Sequence, residues 1–565
     1  MAALSSPCVA SSFSYAEGKE SKELRRSAEY HPTVWGNQFI TISIDQEKLD
    51  EWSKRVTDLK EEVMKMLENA KGSEKLEMEL IDNLQRLGVA YHFEKEIEEA
   101  LKLMYNNSGL SPESTDWDLH STALQFRLLR RRGYRVSSDV FSKFLDQQGK
   151  FKEALTTDPN GMLSLYEAAF LGTHREAILD EALAFTKKHL QLAVNAHGHL
   201  KHPLEAMVKH ALELPLYRRI YRLDSRNYIT FYEMQEGHSE KLLELAKYDY
   251  NRLQSLNKKE LGEVSRWWKE LKLAEKLSFA RDRAVECYFW PVAVYHEPKY
   301  SRGRVHATKV IALTTVIDDI YDVYGTLNEL ELFTHAIQSW DLAAMDQLPD
   351  YMKDCYIALL DCIKAMEEDL APQGKSHHVL YLIESMKRLC RAYLVEARWF
   401  NQRYIPGVDE YIQCSLVSCT YPMITTLCCV GMGDEVQEEL FTWLESDPTI
   451  VDGTSRVCRF MDDIVSSEFE QKRGHVASAV QCYVKEQGLS EEEACKKLRE
   501  MTDIAWKDIN EACLEPAPFP VPLLQRIVGL ARVMEDLYQY GDGLSFSNTY
   551  TKEKVAVMLV NEIPI

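Results

Sequence analysis

The chain has 565 residues, of which 45% are hydrophobic and 27% charged, and a formal net charge of −21. That length exceeds a single core and sets two or three domains as the expectation, while the acidic balance excludes the basic face that nucleic-acid binding needs. An anionic substrate must then be drawn in locally, by metal ions or a few arginines, against the overall field.

Only 24 Gly and 18 Pro interrupt the chain, which favours long helices over many short strands. The 13 cysteines are scattered without a CxxC pair, so neither a zinc site nor a disulfide scaffold is indicated. Cys428 and Cys429 lie together in an apolar stretch and read as small hydrophobes. That usage fits a reducing compartment. No run approaches the ~18 apolar residues that span a bilayer, so stable membrane association is not expected. The first fourteen residues are rich in Ser and Ala and lack acids, as transit peptides do, but Glu17, Glu20 and Glu23 end that character. The expectation is a cytosolic protein, with residues 1–24 a flexible tail.

In chain order, the first pattern is Arg25-Arg26, eight residues, then Trp35, with His31-Pro32 setting an extended arm. From about Asp45 to Tyr232 helical periodicity dominates, as in Ile178, Ala182 and Phe185 on one face. Ser137-Ser138-Asp139 reads as a helix start and Asp158-Pro159-Asn160-Gly161 as a turn. Arg130-Arg131-Arg132 before Gly133 reads as a solvated helix C-terminus, where cations suit the dipole. The pattern pauses near Met234–His238, which places a domain boundary at 237/238. Helices then resume to the end of the chain, broken mainly by the loop Gly541–Asn548. The expected architecture is all-α, with one helical domain over 25–237 and a second over 238–565.

Three stretches carry chemistry. Val310–Ile317 is almost wholly apolar, as in a buried helix, and ends in Asp318-Asp319-Ile320-Tyr321-Asp322. On a helix Asp318 and Asp322 share a face, with Asp319 roughly 100° round from Asp318. Alone, the stretch reads either as a solvated acidic helix end or as a wall of a hard divalent cation site. In the second stretch Asp462, Ser466 and Glu470 are spaced by four and eight residues, an all-oxygen stripe that suits magnesium. Arg459, one turn earlier, points the same way. A polar helix face is the alternative. In the third, Arg281-Asp282-Arg283, arginines two apart share no helix face. They reach one anion, phosphate above all, only from a loop or frayed turn. Local surface salt bridges are the alternative.

Together these stretches point to a diphosphate clamped by several magnesium ions, and here the chain resembles a plant class I terpene synthase of the sesquiterpene type. Arg25-Arg26-x8-Trp35, Arg281-x-Arg283, Asp318-Asp319-x-x-Asp322 and Asp462-Asp463-x-x-Ser466-x-x-x-Glu470 stand in the family's order and at similar separations. The resemblance implies an N-terminal α-barrel-like domain and a C-terminal class I terpenoid synthase α-bundle holding the active site. It implies that Asp318 and Asp322, with Asp319 supporting, and Asp462, Ser466 and Glu470 hold three magnesium ions, with manganese able to substitute. Asp318, Asp322 and Asp462 thereby contact the substrate's diphosphate. Arg281, Arg283 and Arg459 take the departing diphosphate, Trp290 matches a pocket tryptophan, and Tyr421 falls where the family has a pocket-lining helix break.

The resemblance further implies a monomeric enzyme that ionises farnesyl diphosphate and cyclises or rearranges the cation. Many monoterpene relatives carry a long transit peptide, so the 24 residues before Arg25 favour farnesyl diphosphate, with geranyl diphosphate the alternative substrate. A prenyltransferase and a non-catalytic helical scaffold are the more distant alternatives. The N-terminal domain lacks the DxDD acid motif, its nearest stretch being Asp116-Trp117-Asp118-Leu119-His120, and reads as a relic whose Arg25–Trp35 arm caps the C-terminal site. In the lid loop the family often has Asp-Gly-Tyr-Thr where this chain has Asp542-Gly543-Leu544-Ser545. The tyrosine's proton-transfer role thus has no matching side chain there, and Tyr538 and Asp542 are the residues kept as candidates.

Overall fold

The computed structural model describes residues 25, 27–107, 117–196 and 200–565. The expected tail 1–24, Arg26 and Asp116 lie outside the described residues. Among those described the structure is helical throughout, and the nearest approach to a sheet is an isolated antiparallel bridge between Leu145 and Phe151. The fold is all-α in two domains.

In the N-terminal half amphipathic helices turn their apolar faces inward. Gln46–Ala70 buries Trp52, Val56, Leu59, Val63 and Leu67 at spacings of three and four, the stripe that fits a helix on a core. Asp45 caps it by accepting from the Lys48 N–H. Two expectations change here. Asp158–Gly161 is a helix start, with Asp158 accepting from the Gly161 N–H and Pro159 at the first helical position of Pro159–Ala169. The end of Leu119–Arg131 is not solvated: Arg130 is 4% exposed and donates to the Val136 and Leu171 carbonyls and to Glu176. A guanidinium that finds carbonyls and a carboxylate in its own plane is buried at little cost. Asp118, in the stretch nearest to DxDD, caps that same helix by accepting from the Ser121 N–H.

The chain pauses between Tyr221–Glu233 and Glu240–Leu271. The latter, 32 residues long, packs on both Gln46–Ala70 and Ser301–Asp319 and so ties the two halves together. In the C-terminal half Ser301–Asp319, Val379–Gln402, Val408–Ser418, Tyr421–Val430, Thr449–Arg473 and Val521–Leu537 surround one cavity. Ser301–Asp319 crosses Tyr421–Val430 at Gly303, where a Cβ would stand 2.5 Å from the Gly431 carbonyl oxygen, so a larger residue would force the helices apart.

Contrary to expectation, one stretch, Val408–Val430, is long and apolar enough by composition to cross a membrane, with a mean hydropathy of 1.3. Its Val, Ile, Leu, Met and Cys residues raise the mean, but polar residues interrupt them and they form no unbroken run. It is 61% buried and breaks at Cys419-Thr420 into two helices that wall the cavity.

Candidate active site

The acidic end of Ser301–Asp319 does not continue as α-helix. Ile320–Tyr324 is a π turn, closed by the Gly325 N–H donating to the Ile320 carbonyl at 2.8 Å. Such wide turns recur at functional sites because they re-aim side chains that a continuous α-helix would fix. Here one carboxylate oxygen from each of Asp318, Asp319 and Asp322 comes within 4.8 Å of the others. Asp319 is therefore part of the cluster although its azimuth differs from that of Asp318. Burial, with repulsion from Asp322 and Asp318, pushes Asp319 up to about 7 in spite of nearby Arg281. Burial and Asp322 raise Asp318 as well. Carboxylates crowded to this degree favour a divalent cation over mutual ionisation.

The opposite wall is Thr449–Arg473. Asp462 and Glu470 line the cavity, and burial raises Asp462 well above the ordinary carboxylate range. Ser466, between them on the same stripe, is 3% exposed and its hydroxyl has no hydrogen-bond partner. An oriented oxygen left unsatisfied between two carboxylates fits an all-oxygen metal site. Arg459 reaches Asp462 and Asp463 at 3.2 and 3.1 Å. Asp463 is fully buried and accepts from the Tyr411 hydroxyl at 2.8 Å and the Ala479 N–H at 2.9 Å.

Arg281-Asp282-Arg283 is a loop, yet the two arginines part. Arg281 lines the cavity and bonds Asp318 at 2.5 Å and Asp319 through its Nε and backbone N–H. Arg283 is 1% exposed and donates to the carbonyls of Leu544 and Ser545 at 2.8 and 2.9 Å, so it holds the lid. Within that lid Asp542 accepts from the N–H groups of Leu544 and Ser545. Gly543 is obligatory, since a Cβ there would stand 2.2 Å from the Leu537 carbonyl oxygen. Tyr538 and Asp542 both line the cavity; burial, then Asp542 and Asp462, raise the Tyr538 hydroxyl well above its usual range.

Below this charged mouth lies a cavity of about 1370 Å³ of empty space, the mouth included. Its lining includes Trp290, Tyr421, Phe400, Thr314 and Thr315. The Tyr421 hydroxyl donates to the Leu530 carbonyl, and Thr314 and Thr315 donate to carbonyls four residues back. These hydroxyls are thus bound to backbone. The wall breaks at Thr420, a β-branched residue at φ +73°, a conformation that costs on the order of 1–3 kcal/mol and marks functional sites.

Two lining residues were not expected from the sequence. Glu396 is half-buried, accepts from Ser418 at 2.6 Å and is pushed up to about 7 by desolvation against the pull of Arg459. Its signal is there in retrospect: Leu389, Tyr393, Glu396 and Phe400 follow helical spacing, which puts one acid on an inward face. His475 stands between the two acidic walls, 3.0 Å from Asp322 and 3.5 Å from Glu470. It lies in a loop, and nothing in the local sequence marks it.

Comparison with known proteins points to one family. Residues 34–212 match the family model of the terpene synthase N-terminal domain, and residues 269–508 match that of the terpene synthase family metal-binding domain. The chain is 49% identical over 542 residues to a (−)-germacrene D synthase of Vitis vinifera, covering 96% of each. It is 48% identical over 545 residues to a sesquiterpene synthase of Toona sinensis, covering 96% of this chain and 97% of that one. Among solved structures it is similar to isoprene synthase from grey poplar leaves, Populus x canescens, in complex with three Mg2+ ions and dimethylallyl-S-thiolodiphosphate. The TM-score is 0.83 and the identity 37%, over 94% of this chain and 99% of that chain.

Proposed function

The chain belongs to the terpene synthase family, and from that premise we propose that it is a magnesium-dependent sesquiterpene synthase acting on farnesyl diphosphate. The observation that carries the reading is the pairing of two oxygen-rich walls, Asp318/Asp319/Asp322 and Asp462/Ser466/Glu470, across the mouth of one aromatic-lined cavity. The sesquiterpene assignment rests on the relatives, and magnesium on the all-oxygen donor set and the Mg2+ ions of the grey poplar enzyme's structure.

Asp318, Asp319 and Asp322 on one side and Asp462, Ser466 and Glu470 on the other would hold the ions, which when bound stabilise the negative charge of the departing diphosphate. Arg281 and Arg459, each bonded to an aspartate of these walls, stand beside them and bind the same anion. Arg283 acts one step removed, by fixing the lid backbone. The allylic cation left in the cavity faces Trp290 and Tyr421, whose ring faces attract a desolvated cation by about 2 kcal/mol. Because Thr314, Thr315 and Tyr421 have their hydroxyls on backbone carbonyls, those three oxygens are held away from quenching it. Tyr538, beside Asp462 and Asp542, is the side chain placed for proton transfer at the cavity edge. A cytosolic monomer completes the reading, its compartment supported by described cysteines that are all free thiols.

Purified protein given farnesyl diphosphate and magnesium is expected to release a volatile C15 hydrocarbon or alcohol. Turnover of geranyl diphosphate alone would move the assignment to a monoterpene synthase, and chain elongation with isopentenyl diphosphate would move it to a prenyltransferase.

A further inference from the structure

Two separate segments cover the mouth: the extended arm that ends at Trp35, and the lid loop 541–548. Both reach a single buried acid. Glu286, three residues after Arg283 and four before Trp290, is 0% exposed. Its Oε1 accepts from the Trp35 indole Nε1 at 3.2 Å and from the Ser547 hydroxyl at 2.7 Å. Among the described residues its second oxygen has no hydrogen-bond partner, and the carboxylate's direct bonds to other segments run to the two covers. A buried carboxylate is costly unless it is bonded, and nothing in the reaction described above uses this one.

We propose that Glu286 is a positioning residue that couples the N-terminal arm to the lid, so that the two covers of the cavity close as one unit. The neighbouring geometry agrees. Arg283, on the same segment, grips the lid backbone at Leu544 and Ser545, and lid Phe546 packs edge-on against Phe469 of the metal-binding helix, 5.0 Å between ring centres. At the arm's other end Arg25 donates to the Tyr324 carbonyl of the π turn and to Glu329. The arm, the lid and the Arg281–Trp290 segment therefore form a closed circuit around the mouth. If either bond to Glu286 is lost, the acid retains one partner and the other cover loses part of its anchor, because a shared acceptor sets the position of both donors.

The inference rests on the reading above only in taking the covered cavity for the active site. Its test is made on the ligand-free full chain and does not depend on turnover. Hydrogen–deuterium exchange is followed in Trp35→Phe, which keeps the ring and removes the donor, and in Ser547→Ala. Trp35→Phe is expected to speed exchange at lid amides 541–548 about fivefold, and Ser547→Ala to do the same at amides 27–35. Glu286→Gln, which keeps the accepting oxygen, is expected to leave exchange slow in both segments, whereas Glu286→Ala loosens both. With farnesyl diphosphate and magnesium, the loosened variants are expected to raise the fraction of water-quenched alcohol severalfold. Exchange changes confined to the segment that carries the substitution would overturn the coupling, as would equal loosening in Glu286→Gln and Glu286→Ala.

Discussion

Arg281 holds Asp319 twice, through its backbone N–H at 2.7 Å and its Nε at 3.2 Å, while a different guanidinium nitrogen reaches Asp318. Asp319 is fully buried and Asp318 is partly open to the mouth, so adjacent aspartates do different work. Asp318 faces the space where cation and diphosphate meet; Asp319 orients Arg281 and adds charge from behind. Asp318→Asn is therefore expected to lower kcat/KM by about 10³-fold, and Asp319→Asn, which keeps an acceptor for the Arg281 N–H, by about tenfold. Steady-state kinetics with unchanged far-UV circular dichroism checks this. Equal losses would show that both residues act only as ligands.

Trp290 is 5% exposed and its ring lines the cavity that the cation would occupy. Removing it takes away a ring face and opens space in which water can lodge. Trp290→Ala is expected to lower kcat about 100-fold and shift products toward acyclic and hydroxylated compounds, while Trp290→Phe retains most cyclisation. Gas chromatography with mass spectrometry of the volatiles decides the matter. An unaltered product profile in Trp290→Ala would assign the residue to packing alone.

The second acidic wall was legible because its residues lie on one long helix, where spacing fixes which side chains share a face. Asp462, Ser466 and Glu470 fall on one stripe of Thr449–Arg473 for that reason. The π turn after Asp319 was not legible, since no residue preference announces it. Nor was the parting of Arg281 and Arg283, because Arg283's partners lie 261 and 262 positions away in the lid. Trp35 and Glu286 are 251 apart. Arg130 misled for a related reason: a triplet of arginines at a helix end resembles a solvated terminus until the chain folds Glu176 and two carbonyls around one of them. Local periodicity places side chains on faces, and long-range loop contacts decide which of those faces meet.

Asp462 and Asp463 offer a second contrast between neighbours. Asp463 is fully buried and accepts from Tyr411, Ala479 and Arg459, which pins the start of the helix Ala479–Gln487. Asp463→Ala would strand a hydroxyl, an amide and a guanidinium together, a loss of about 3 kcal/mol. Urea unfolding is expected to show that loss for Asp463→Ala and almost none for Asp462→Ala, whereas turnover falls most in Asp462→Ala. If Asp462→Ala proves the less stable variant, the division of labour is wrong.

His378 gives the fold a dependence on pH. Its ring is wholly buried, packed on Phe441 at 4.7 Å between centres, and neither ring nitrogen has a hydrogen-bond partner. Burial, with His377 and Lys375 nearby, pushes its pKa down to about 4 from the usual 6.5. Between those values the unfolded chain binds a proton that the folded chain refuses. Stability is therefore full above about pH 6.5 and falls as the pH drops toward 4, by on the order of 2 kcal/mol from this group. His378→Leu removes the titrating ring and fills much of its space. Urea midpoints from pH 7 to pH 4.5 are expected to fall less steeply in the variant than in the parent protein. Parallel slopes would mean that other groups carry the acid sensitivity and that His378 is tolerated in both charge states.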